Sequence, residues 1–482
     1  MANKRFYSKL HLEINNKKKL YFIKDAIHHE ISFDQNQLWI YQLVNTPEIQ
    51  RLGKILQLSL SFNNFPTATH TRLSHSLGVY YVTNQFIQEF IRRKILDPDH
   101  DRLAINIALV AALLHDVGHG PHSHAFELYT NYNHEFFATK ILRSKETQIH
   151  QILVEKAIND HLDEDFYIEH IIKIINKKND DPNLRWVQDL ISSQLDADRL
   201  DYLLRDSYFS GIDYGKNKFD LLIKWSIIVR DQHLKNNSLA EKKQFLNKIA
   251  FYQKANYLIT DFLINRFLMH AELYTNSYST IYENLISLII KIFKQNYQTI
   301  IDDPQLQPFI YFYQLLKPYL LESPNQFNYQ QFLKLTDETF NIILDSFCQA
   351  SHPDLKSLTN LLHGNISQSE HQYLILKLDQ FADVIQIMKK LNLDQQNTNA
   401  FLSFDNTSTT VVYDKKQPIL NYNIDSDLIL LYNDFLERSP INLKKLKKFE
   451  LYTNRKIVII NKKLWKTIQQ QLQLQSKKIT KN

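Results

Sequence analysis

Apolar residues recur at helical spacing over most of the first 300 residues of this 482-residue chain. Positions three and four apart share one face of an α-helix, so this periodicity predicts amphipathic helices. Gly118, Gly120 and Pro121 mark where one of them stops. Helical spacing covers residues 36–62 and 72–94, single helices are predicted over 104–116 and 185–207, further helices over 134–177, and one or two long helices over 246–294. The pattern therefore indicates a mainly α protein.

Strand patterns are fewer and lie near the two ends of the chain. We expect strands at Tyr21–Ile23 and at residues 456–460, and a hairpin over residues 411–419 with an Asp-Lys-Lys turn. The predicted organisation is a helical core over residues 1–295, a helical connecting region over 296–369, a small mixed α/β subdomain over 370–465 and a polar tail over 466–482.

Composition narrows the class of protein. A hydrophobic fraction of 44% and a charged fraction of 22% are ordinary for a globular protein. The single cysteine, Cys348, excludes an internal disulfide framework and a cysteine-rich zinc site. The start of the chain shows no secretory signal, and the apolar run Ile107–Leu114 is too short to cross a bilayer. We expect a cytoplasmic protein with no membrane partner. The net charge of +6 fits solvated faces and a basic tail better than a polyanion site, although charge alone does not choose between them.

The densest chemistry is a histidine-rich stretch. Eight of the nineteen histidines fall between His70 and His134. Histidine is the commonest metal ligand, and His75, His115 and Asp116 offer two imidazoles and a carboxylate from two predicted helices. Asp198 offers a second carboxylate from a third. A His-Asp pair alone would mean little, but this set suits one divalent ion of Mn, Fe, Mg, Zn, Ni or Co with open positions for water and substrate.

The later predicted helix carries a polar stripe. Asp198, Tyr202 and Asp206 recur every four residues and share one face. A structural face would more often be apolar or show Glu–Lys pairs, so this stripe indicates a wall that faces a ligand. Arg199, one step round the helix, is placed to meet an anionic group of that ligand.

A second stripe follows the same spacing: Arg266, His270 and Tyr274. The planar fork of an arginine suits phosphate, and a tyrosine ring can stack under a sugar or base. An arginine that simply pairs with one of the many acidic residues is an equal alternative, and the spacing does not choose between them.

Together these segments resemble the HD-domain deoxynucleoside triphosphate triphosphohydrolases, above all their activator-regulated branch, over residues 20–290. That branch includes the vertebrate SAM- and HD-domain enzyme and bacterial tetrameric dNTPases. The resemblance implies an HD-domain helical core with a smaller mixed α/β C-terminal subdomain. The motifs that carry it are Phe22-Ile-Lys-Asp25-Ala-Ile-His28, Asn45-Thr-Pro-Glu-Ile-Gln50-Arg51-Leu, Leu56-Gln57-Leu, Arg72-x-x-His75-Ser-Leu-Gly-Val, His115-Asp116-x-Gly-His119-Gly-Pro-x-Ser-His124-x-Phe-Glu127, His134-Glu135 and Asp198-Arg199-x-Asp-Tyr202-x-x-x-Asp206.

The resemblance also implies a role for each matching residue. The implied metal ligands are His75, His115, Asp116 and Asp198. The implied catalytic residues are His124 and His134 beside the α-phosphate, supported by His119 and Glu127. The implied triphosphate contacts are Arg72, Arg199 and Arg266, and the implied deoxyribose contacts are Gln57, Tyr202, Asp206 and Tyr274. The implied reaction releases a deoxynucleoside and intact triphosphate, with additional Mg²⁺ accompanying the nucleotide as an open alternative.

The chain departs from the family pattern at positions linked to activation. Asn45 and Gly53 stand where the regulated branch has an Asp and an Arg that read guanine, while Gln50 is kept. Asn276 replaces a histidine, and Asp25-Ala26 replaces Asp-Pro. We therefore predict altered or absent activation by dGTP or GTP. The resemblance further implies a homo-oligomer, a dimer or a tetramer.

Two other functions stay open at this stage. One is an HD phosphodiesterase that acts on nucleic acid or on a signalling nucleotide. The other is a nucleotide sensor, or single-stranded nucleic-acid binder, with low turnover. The complete set of metal ligands and catalytic histidines argues against the sensor, and the arginines and the sugar wall favour mononucleotide triphosphates.

Overall fold

The structure is a computed structural model that describes residues 12–14, 18–275, 277–321, 327–364, 373–377, 401–411, 419–426, 428–431, 450–461, 466 and 468–470. Over these residues the protein is mainly helical with small sheets, which confirms the predicted fold class. None of the helices in this part of the chain combines the length and the apolar character needed to cross a membrane.

The helices are α1 (Leu38–Val44), α2 (Pro47–Arg51), α3 (Arg72–Arg92), α4 (Arg102–Leu114), α5 (His124–Thr130), α6 (His134–Arg143), α7 (Gln148–Asn159), α8 (Glu164–Ile175), α9 (Arg185–Ile191), α10 (Ala197–Ser210), α11 (Phe219–Lys224), α12 (Leu239–Phe245), α13 (Asn256–Met269), α14 (Ser277–Gln295), α15 (Tyr297–Ile301), α16 (Ile310–Leu320), α17 (Tyr329–Phe332), α18 (Asp337–Ser346) and α19 (Pro353–His363). The strands are β1 (Leu12–Ile14), β2 (Lys18–Asp25), β3 (His29–Phe33), β4 (Ser226–Ile228), β5 (Ile249–Tyr252), β6 (Tyr373–Lys377), β7 (Phe401–Val411), β8 (Leu420–Asn423), β9 (Leu428–Leu431) and β10 (Glu450–Asn461).

The helical spacing over residues 36–62 does not correspond to one continuous helix. The segment holds α1, α2 and two short 3₁₀ turns, Leu52–Lys54 and Ser59–Asn63. Pro47 has no N–H to donate and forces extended backbone on Thr46, so α1 ends and α2 begins there. The apolar spacing was real, but it belongs to successive short elements that face one core.

Two other predicted helices are interrupted. The stretch 185–207 is divided into α9 and α10, because the Asp196 carboxylate accepts from the backbone N–H of Arg199 and starts a new helix. The stretch 246–294 begins with the strand β5, which pairs with β4 and β8. Burial in a sheet overrides the local helical spacing of its apolar residues.

The strands form three sheets. β1, β2 and β3 make an antiparallel meander, so the strand predicted at Tyr21–Ile23 is confirmed. The order of the second sheet is β4-β5-β8-β9, and the order of the third is β6-β10-β7. β10 confirms the strand predicted at residues 456–460. Most of the hairpin predicted at 411–419 lies outside the described residues.

The chain divides into two compact units. The first comprises residues 1–124, 132–272 and 411–449, and the second comprises 125–131, 273–410 and 450–482. The boundaries expected from the sequence, at residues 295, 369 and 465, stay predictions. Strands from the C-terminal third therefore contribute to both units, β8 and β9 to the first and β6 and β10 to the second.

The core of the first unit is built around α4. Its residues Ile107–Leu114 are almost completely buried, and α3 packs between α4 and α10. Full burial of a Leu, Ile or Val side chain contributes about 1.5–3 kcal/mol, so this contact fixes the three helices firmly. The same three helices carry the histidines and aspartates that the sequence singles out.

Candidate metal centre and active site

Four predicted metal ligands come together in the first unit. His75 lies in the first turn of α3, His115 and Asp116 directly follow α4, and Asp198 lies in the first turn of α10. Neighbouring residues inside a helix point about 100° apart. Because α4 ends at Leu114, the turn that follows brings the His115 Nε2 atom to 3.4 Å from the Asp116 Oδ1 atom.

The distances within this group suit a single ion. His75 Nε2 lies 3.1 Å from Asp198 Oδ1 and 3.8 Å from Asp116 Oδ2, and His115 Nε2 lies 3.8 Å from Asp198 Oδ1. One ligand atom from each of His75, His115 and Asp198 lies within 4.8 Å of the others. Nitrogen and oxygen ligands about 2.0–2.2 Å from a common ion have separations of this size.

The hydrogen bonds of His115 show that the donor set fits a metal. Its Nδ1 atom lies 2.9 Å from the carbonyl of Ala112, to which it donates, so Nε2 carries the lone pair. That Nε2 atom is buried and has no hydrogen-bond partner among the described residues. A buried lone pair that faces two carboxylates is what a divalent cation requires.

The carboxylates of the group are ionised. Burial alone would raise the pKa of Asp116, but the charge of Arg72 holds it well below its usual range. Burial also opposes ionisation of Asp198, and the hydrogen bond with His75 and the charge of His115 bring its pKa to about 2. The pair therefore offers negative charge to a cation across the physiological pH range.

His119, His124 and His134 form a second cluster in the same unit. The rings of His119 and His134 stack with centroids 3.9 Å apart, and the ring of His124 lies 4.8 Å from His119 and 5.6 Å from His134. His119 is buried, and burial together with the charge of Arg72 holds its pKa well below the usual range. His119 is therefore neutral near pH 7, whereas His124 is exposed to solvent.

Three structural features mark the loop after α4 that carries His119. A Cβ atom at Gly118 would lie 2.0 Å from the carbonyl oxygen of His134, so only glycine lets the loop approach the start of α6. Arg51 is buried, and its guanidinium donates to the carbonyl of His119 over 2.5 Å. His122 and Ser123 have φ angles of 57° and 58°, a left-handed conformation that non-glycine residues adopt only at a cost.

Glu127, the fourth predicted catalytic residue, lies one turn after His124 on α5 and is half-buried. It belongs to the second compact unit, as does Tyr274, which ends the π-helix His270–Tyr274. Their catalytic and sugar-binding roles stay predictions.

The three arginines predicted to bind phosphate differ in their partners. Arg72 is buried and donates to Asp116 over 2.5 Å and to the hydroxyl of Ser123 over 2.7 Å. Arg199 donates to Asp196 and to the carbonyl of Ser193, but its Nε atom is buried without an acceptor among the described residues. Arg266 has no ion pair within the described residues, and its Nε atom is also buried without an acceptor. Among the described residues Arg266 therefore has no acidic partner, and its role in phosphate binding stays a prediction.

Arg199 and Arg266 both affect the pKa values of two neighbouring side chains, His270 and Tyr202. Burial and then the charges of Arg266 and Arg199 lower the pKa of His270 to about 4, so His270 is neutral at physiological pH. Burial raises the pKa of Tyr202, although the same two arginines oppose that shift. The guanidinium groups of Arg199 and Arg266 therefore both act on Tyr202, and their Nε donors have no acceptor among the described residues.

The predicted sugar wall is partly in place. Tyr202 faces the ring of His75 at 6.4 Å, and Asp206 is buried with its Oδ1 atom 2.7 Å from His70 Nε2. The backbone N–H of Gln57 donates to the carbonyl of His70, and the Oε1 atom of Gln57 is buried without a hydrogen-bond partner among the described residues. His70 thus joins two predicted sugar contacts.

Sequence reasoning missed several residues that shape the site: Arg51, His70, Ser123, Asp201 and Arg205. All lie inside or next to motifs that the sequence singled out, but their contacts link distant segments. His28, the last residue of the first resemblance motif, is buried and hydrogen-bonded to Asp201.

The described geometry defines a class of protein: a helical domain that presents histidine and aspartate ligands for a divalent metal beside a histidine cluster. Residues 72–206 match the HD domain family, which confirms that this part of the chain resembles the HD-domain phosphohydrolases.

Relatives and solved structures agree with this assignment. The chain is 36% identical over 273 residues to an uncharacterized protein of Mycoplasma genitalium, a match that covers 54% of this chain and 57% of that protein. It is 25% identical over 283 residues to the human deoxynucleoside triphosphate triphosphohydrolase SAMHD1, covering 51% of this chain and 44% of the human protein. The match therefore spans about half the length of these relatives.

A crystal structure of a phosphohydrolase from Bacteroides thetaiotaomicron has a similar fold. Its TM-score is 0.66 at 22% identity, and the match covers 92% of this chain and 100% of that one. At this identity the likeness supports the fold alone.

Proposed function

We propose that the protein hydrolyses deoxynucleoside triphosphates to a deoxynucleoside and inorganic triphosphate with one bound divalent metal ion. The observation that carries the proposal is the pair of buried Nε donors, on Arg199 and Arg266, without acceptors among the described residues. A buried guanidinium donor left unsatisfied is costly, and a phosphate oxygen is the acceptor that its planar fork fits best. The name of the human relative agrees with a nucleotide triphosphate.

Each part of the site has a task in this reaction. His75, His115, Asp116 and Asp198 would hold the metal, which supplies polarisation of a phosphoryl oxygen and a lower pKa for water. Arg72, Arg199 and Arg266 offset the negative charge that grows on the phosphates during attack on the α-phosphorus. The bond between that phosphorus and the 5′-oxygen breaks, and the water oxygen stays with the released triphosphate.

The leaving 5′-oxygen needs a proton, and the histidine cluster is placed to give it. His124 and His134 are the candidate donors, because His119 is held neutral by burial and by Arg72. His119 stacks on His134 at 3.9 Å and fixes its orientation. Arg51 in turn holds the backbone of His119.

Recognition of the deoxyribose falls to the stripe on α10. Tyr202 presents a ring beside His75, and Asp206 is kept in place by His70. The Oε1 atom of Gln57, which has no hydrogen-bond partner in the described part of the chain, offers an acceptor for a sugar hydroxyl. A closed wall at the 2′ position would exclude ribonucleotides sterically, and base selection is left open by these residues.

Regulation is proposed to differ from the guanine-dependent branch. The Nδ2 atom of Asn45 donates to the carbonyl of Tyr41, and Gln50 donates to the carbonyl of Val44. Both side-chain amides therefore donate to backbone carbonyls of α1. Gly53 has no side chain with which to contact a base. Asn276 lies outside the described residues. We propose a homo-oligomer whose activation by dGTP or GTP is altered or absent.

A product assay tests the function directly. Purified protein with Mn²⁺ or Mg²⁺ is incubated with each dNTP alone and with all four together, and deoxynucleoside and inorganic triphosphate are quantified. The His115→Ala/Asp116→Ala variant should lose turnover. A matched control is His100→Ala, since His100 is an exposed histidine outside the site.

Release of deoxynucleoside and intact triphosphate supports the proposal. Nucleoside monophosphate as the product would contradict it and favour a phosphodiesterase. Absence of turnover in every mixture, with metal bound, would favour a sensor. A full dGTP-dependent rise in the rate with another dNTP would overturn the proposed change in regulation.

A further inference from the structure

Asp201 is not one of the four candidate metal ligands, but its carboxylate contacts the ligand His75. It follows Asp198 by three residues on α10, and its side chain is fully buried. Its Oδ2 atom lies 2.8 Å from His75 Nδ1, on the opposite side of the imidazole from the Nε2 atom that faces Asp198 and Asp116. With a metal ion on Nε2, the Asp201 carboxylate would accept the proton that His75 keeps on Nδ1.

Both oxygens of Asp201 are held by further groups. Oδ1 lies 2.6 Å from His28 Nε2 and 3.0 Å from an N–H group of Arg205, and Oδ2 lies 2.9 Å from Arg205 Nε. Together with His75, these contacts give each oxygen two hydrogen bonds. The carboxylate has no freedom to turn without breaking several of them.

The supporting groups are tied to one another. Arg205 also donates to Asp25 at the end of β2, over 2.7 Å and 3.2 Å. The Oδ1 atom of Asp25 accepts from the backbone N–H groups of Ile27 and His28, which sets the turn that delivers His28. Asp201, Arg205, Asp25 and His28 thus form a closed ring of contacts that joins α10 to the N-terminal sheet.

The helix that carries His75 makes room for this ring. Gly78 lies one turn after His75 on α3, and a Cβ atom there would come within 1.9 Å of Asp201 Oδ1 and 2.5 Å of Arg205. A side chain at Gly78 is incompatible with the observed position of the carboxylate. The sequence therefore leaves space at the point where the ring meets α3.

We propose that Asp201 is a positioning residue for the metal centre: it holds His75 in the tautomer and orientation that aims Nε2 at the ion, with His28, Arg205 and Asp25 fixing Asp201. The proposal rests on the proposed metal site but not on the identity of the substrate. Carboxylates that accept from the second nitrogen of a ligand histidine typically change metal affinity by about 10- to 100-fold when they are removed. Removal of a purely structural ion pair would lower the stability of the fold and leave the metal affinity unchanged.

The test measures metal affinity in the absence of nucleotide. Wild-type protein, Asp201→Asn, His28→Gln and Asp206→Asn are freed of metal and titrated with Co²⁺, and the dissociation constant and the visible absorption of the bound Co²⁺ are recorded. Asp206→Asn is the matched control, because Asp206 is also a buried aspartate of α10 that pairs with a buried histidine, at 2.7 Å, but its partner His70 is outside the proposed ligand set. Unfolding in urea is measured for all four proteins.

We expect the Co²⁺ dissociation constant of Asp201→Asn to rise about 10- to 100-fold, and that of His28→Gln about two- to tenfold, with altered absorption bands. Asp206→Asn should lose stability while its affinity stays within about twofold of the wild type. Wild-type affinity in a folded Asp201→Asn would overturn the proposal. If that variant does not fold, wild-type affinity in His28→Gln would overturn it.

The outcome for this inference is separate from the outcome for the proposed function. A wild-type protein that binds Co²⁺ but releases no triphosphate from any dNTP contradicts the function and leaves the role of Asp201 to be decided by the variants. A wild-type protein that binds no Co²⁺ overturns the positioning role together with the metal centre.

Discussion

The Nε2 atom of His70 lies 2.7 Å from the Oδ1 atom of Asp206, and both side chains are buried. The backbone of His70 also accepts from Gln57, so one histidine connects two residues predicted to contact the sugar. This contact joins the loop before α3 to the second half of α10. Recognition of the substrate is therefore expected to depend on His70, which holds two of the predicted sugar contacts in place.

Asp206→Asn should lower kcat/KM for dNTPs while the metal stays bound. A hydrogen bond to a charged group contributes about 1.5–3 kcal/mol, which corresponds to a loss of about 10- to 100-fold. Steady-state kinetics with saturating Mn²⁺ measure the change. Unaltered kcat/KM in a protein that keeps its metal would show that Asp206 serves only the packing of α10.

Gly78→Ala should destabilise the protein far more than Gly211→Ala. The new methyl group at position 78 would overlap Asp201 and Arg205, and separation of a buried ion pair costs about 3–5 kcal/mol. Gly211 has a φ of 76° with open space around it, so alanine there costs about 1 kcal/mol of backbone strain. Urea unfolding of both variants gives the two values, and similar losses would contradict the close packing at Gly78.

Local pattern predicted the helical class and singled out four candidate metal ligands, because His75, His115, Asp116 and Asp198 lie on or directly after helices with clear apolar faces. It did not predict where helices break. Pro47 and the capping carboxylate of Asp196 end two of them for reasons of backbone chemistry that the apolar spacing does not record. The strand β5 follows from pairing with β8, a segment far along the chain.

Within the candidate site, too, the sequence pattern predicted which residues share a helix face but not the contacts between different helices. The spacing of Asp198, Tyr202 and Asp206 on one face was visible in the sequence. The contact between Asp201 and His75 was not, because it depends on how α3 packs against α10. Whether Arg266 pairs with an acid was undecided by spacing, and the structure supplies no acidic partner among the described residues.

Glu283→Gln should stabilise the protein at alkaline pH but not at acidic pH. Burial raises the pKa of Glu283 from its model-compound value of 4.5 to about 7 in the folded state. The unfolded chain therefore releases its proton first, and the folded state loses stability as the pH rises from 4.5 to 7 and keeps that penalty above 7. Glutamine removes the penalty, so the variant should gain about 1–3 kcal/mol at pH 8 and nothing at pH 4.5.

Urea unfolding at the two pH values measures this difference, with Glu155→Gln as a control at an exposed position. An equal gain for Glu283→Gln at both pH values would assign the effect to packing and contradict ionisation as its cause.

Arg266→Gln should separate binding of phosphate from stability. Arg266 has no ion pair among the described residues, and its Nε donor is buried without an acceptor, so its removal breaks no contact seen in this part of the chain. The stability should stay the same or rise slightly, because an uncompensated charge beside His270 is lost. Inorganic triphosphate, the proposed product, should inhibit the variant about 10- to 100-fold more weakly, since a charge-assisted hydrogen bond contributes about 1.5–3 kcal/mol.

Arg143→Gln is the matched control, because it removes the same charge from an exposed arginine that pairs with Glu169. Its inhibition constant for triphosphate should equal that of the wild type. If Arg266→Gln and Arg143→Gln bind triphosphate alike, the unsatisfied donor of Arg266 does not face the phosphates, and the observation that carries the proposed function is lost.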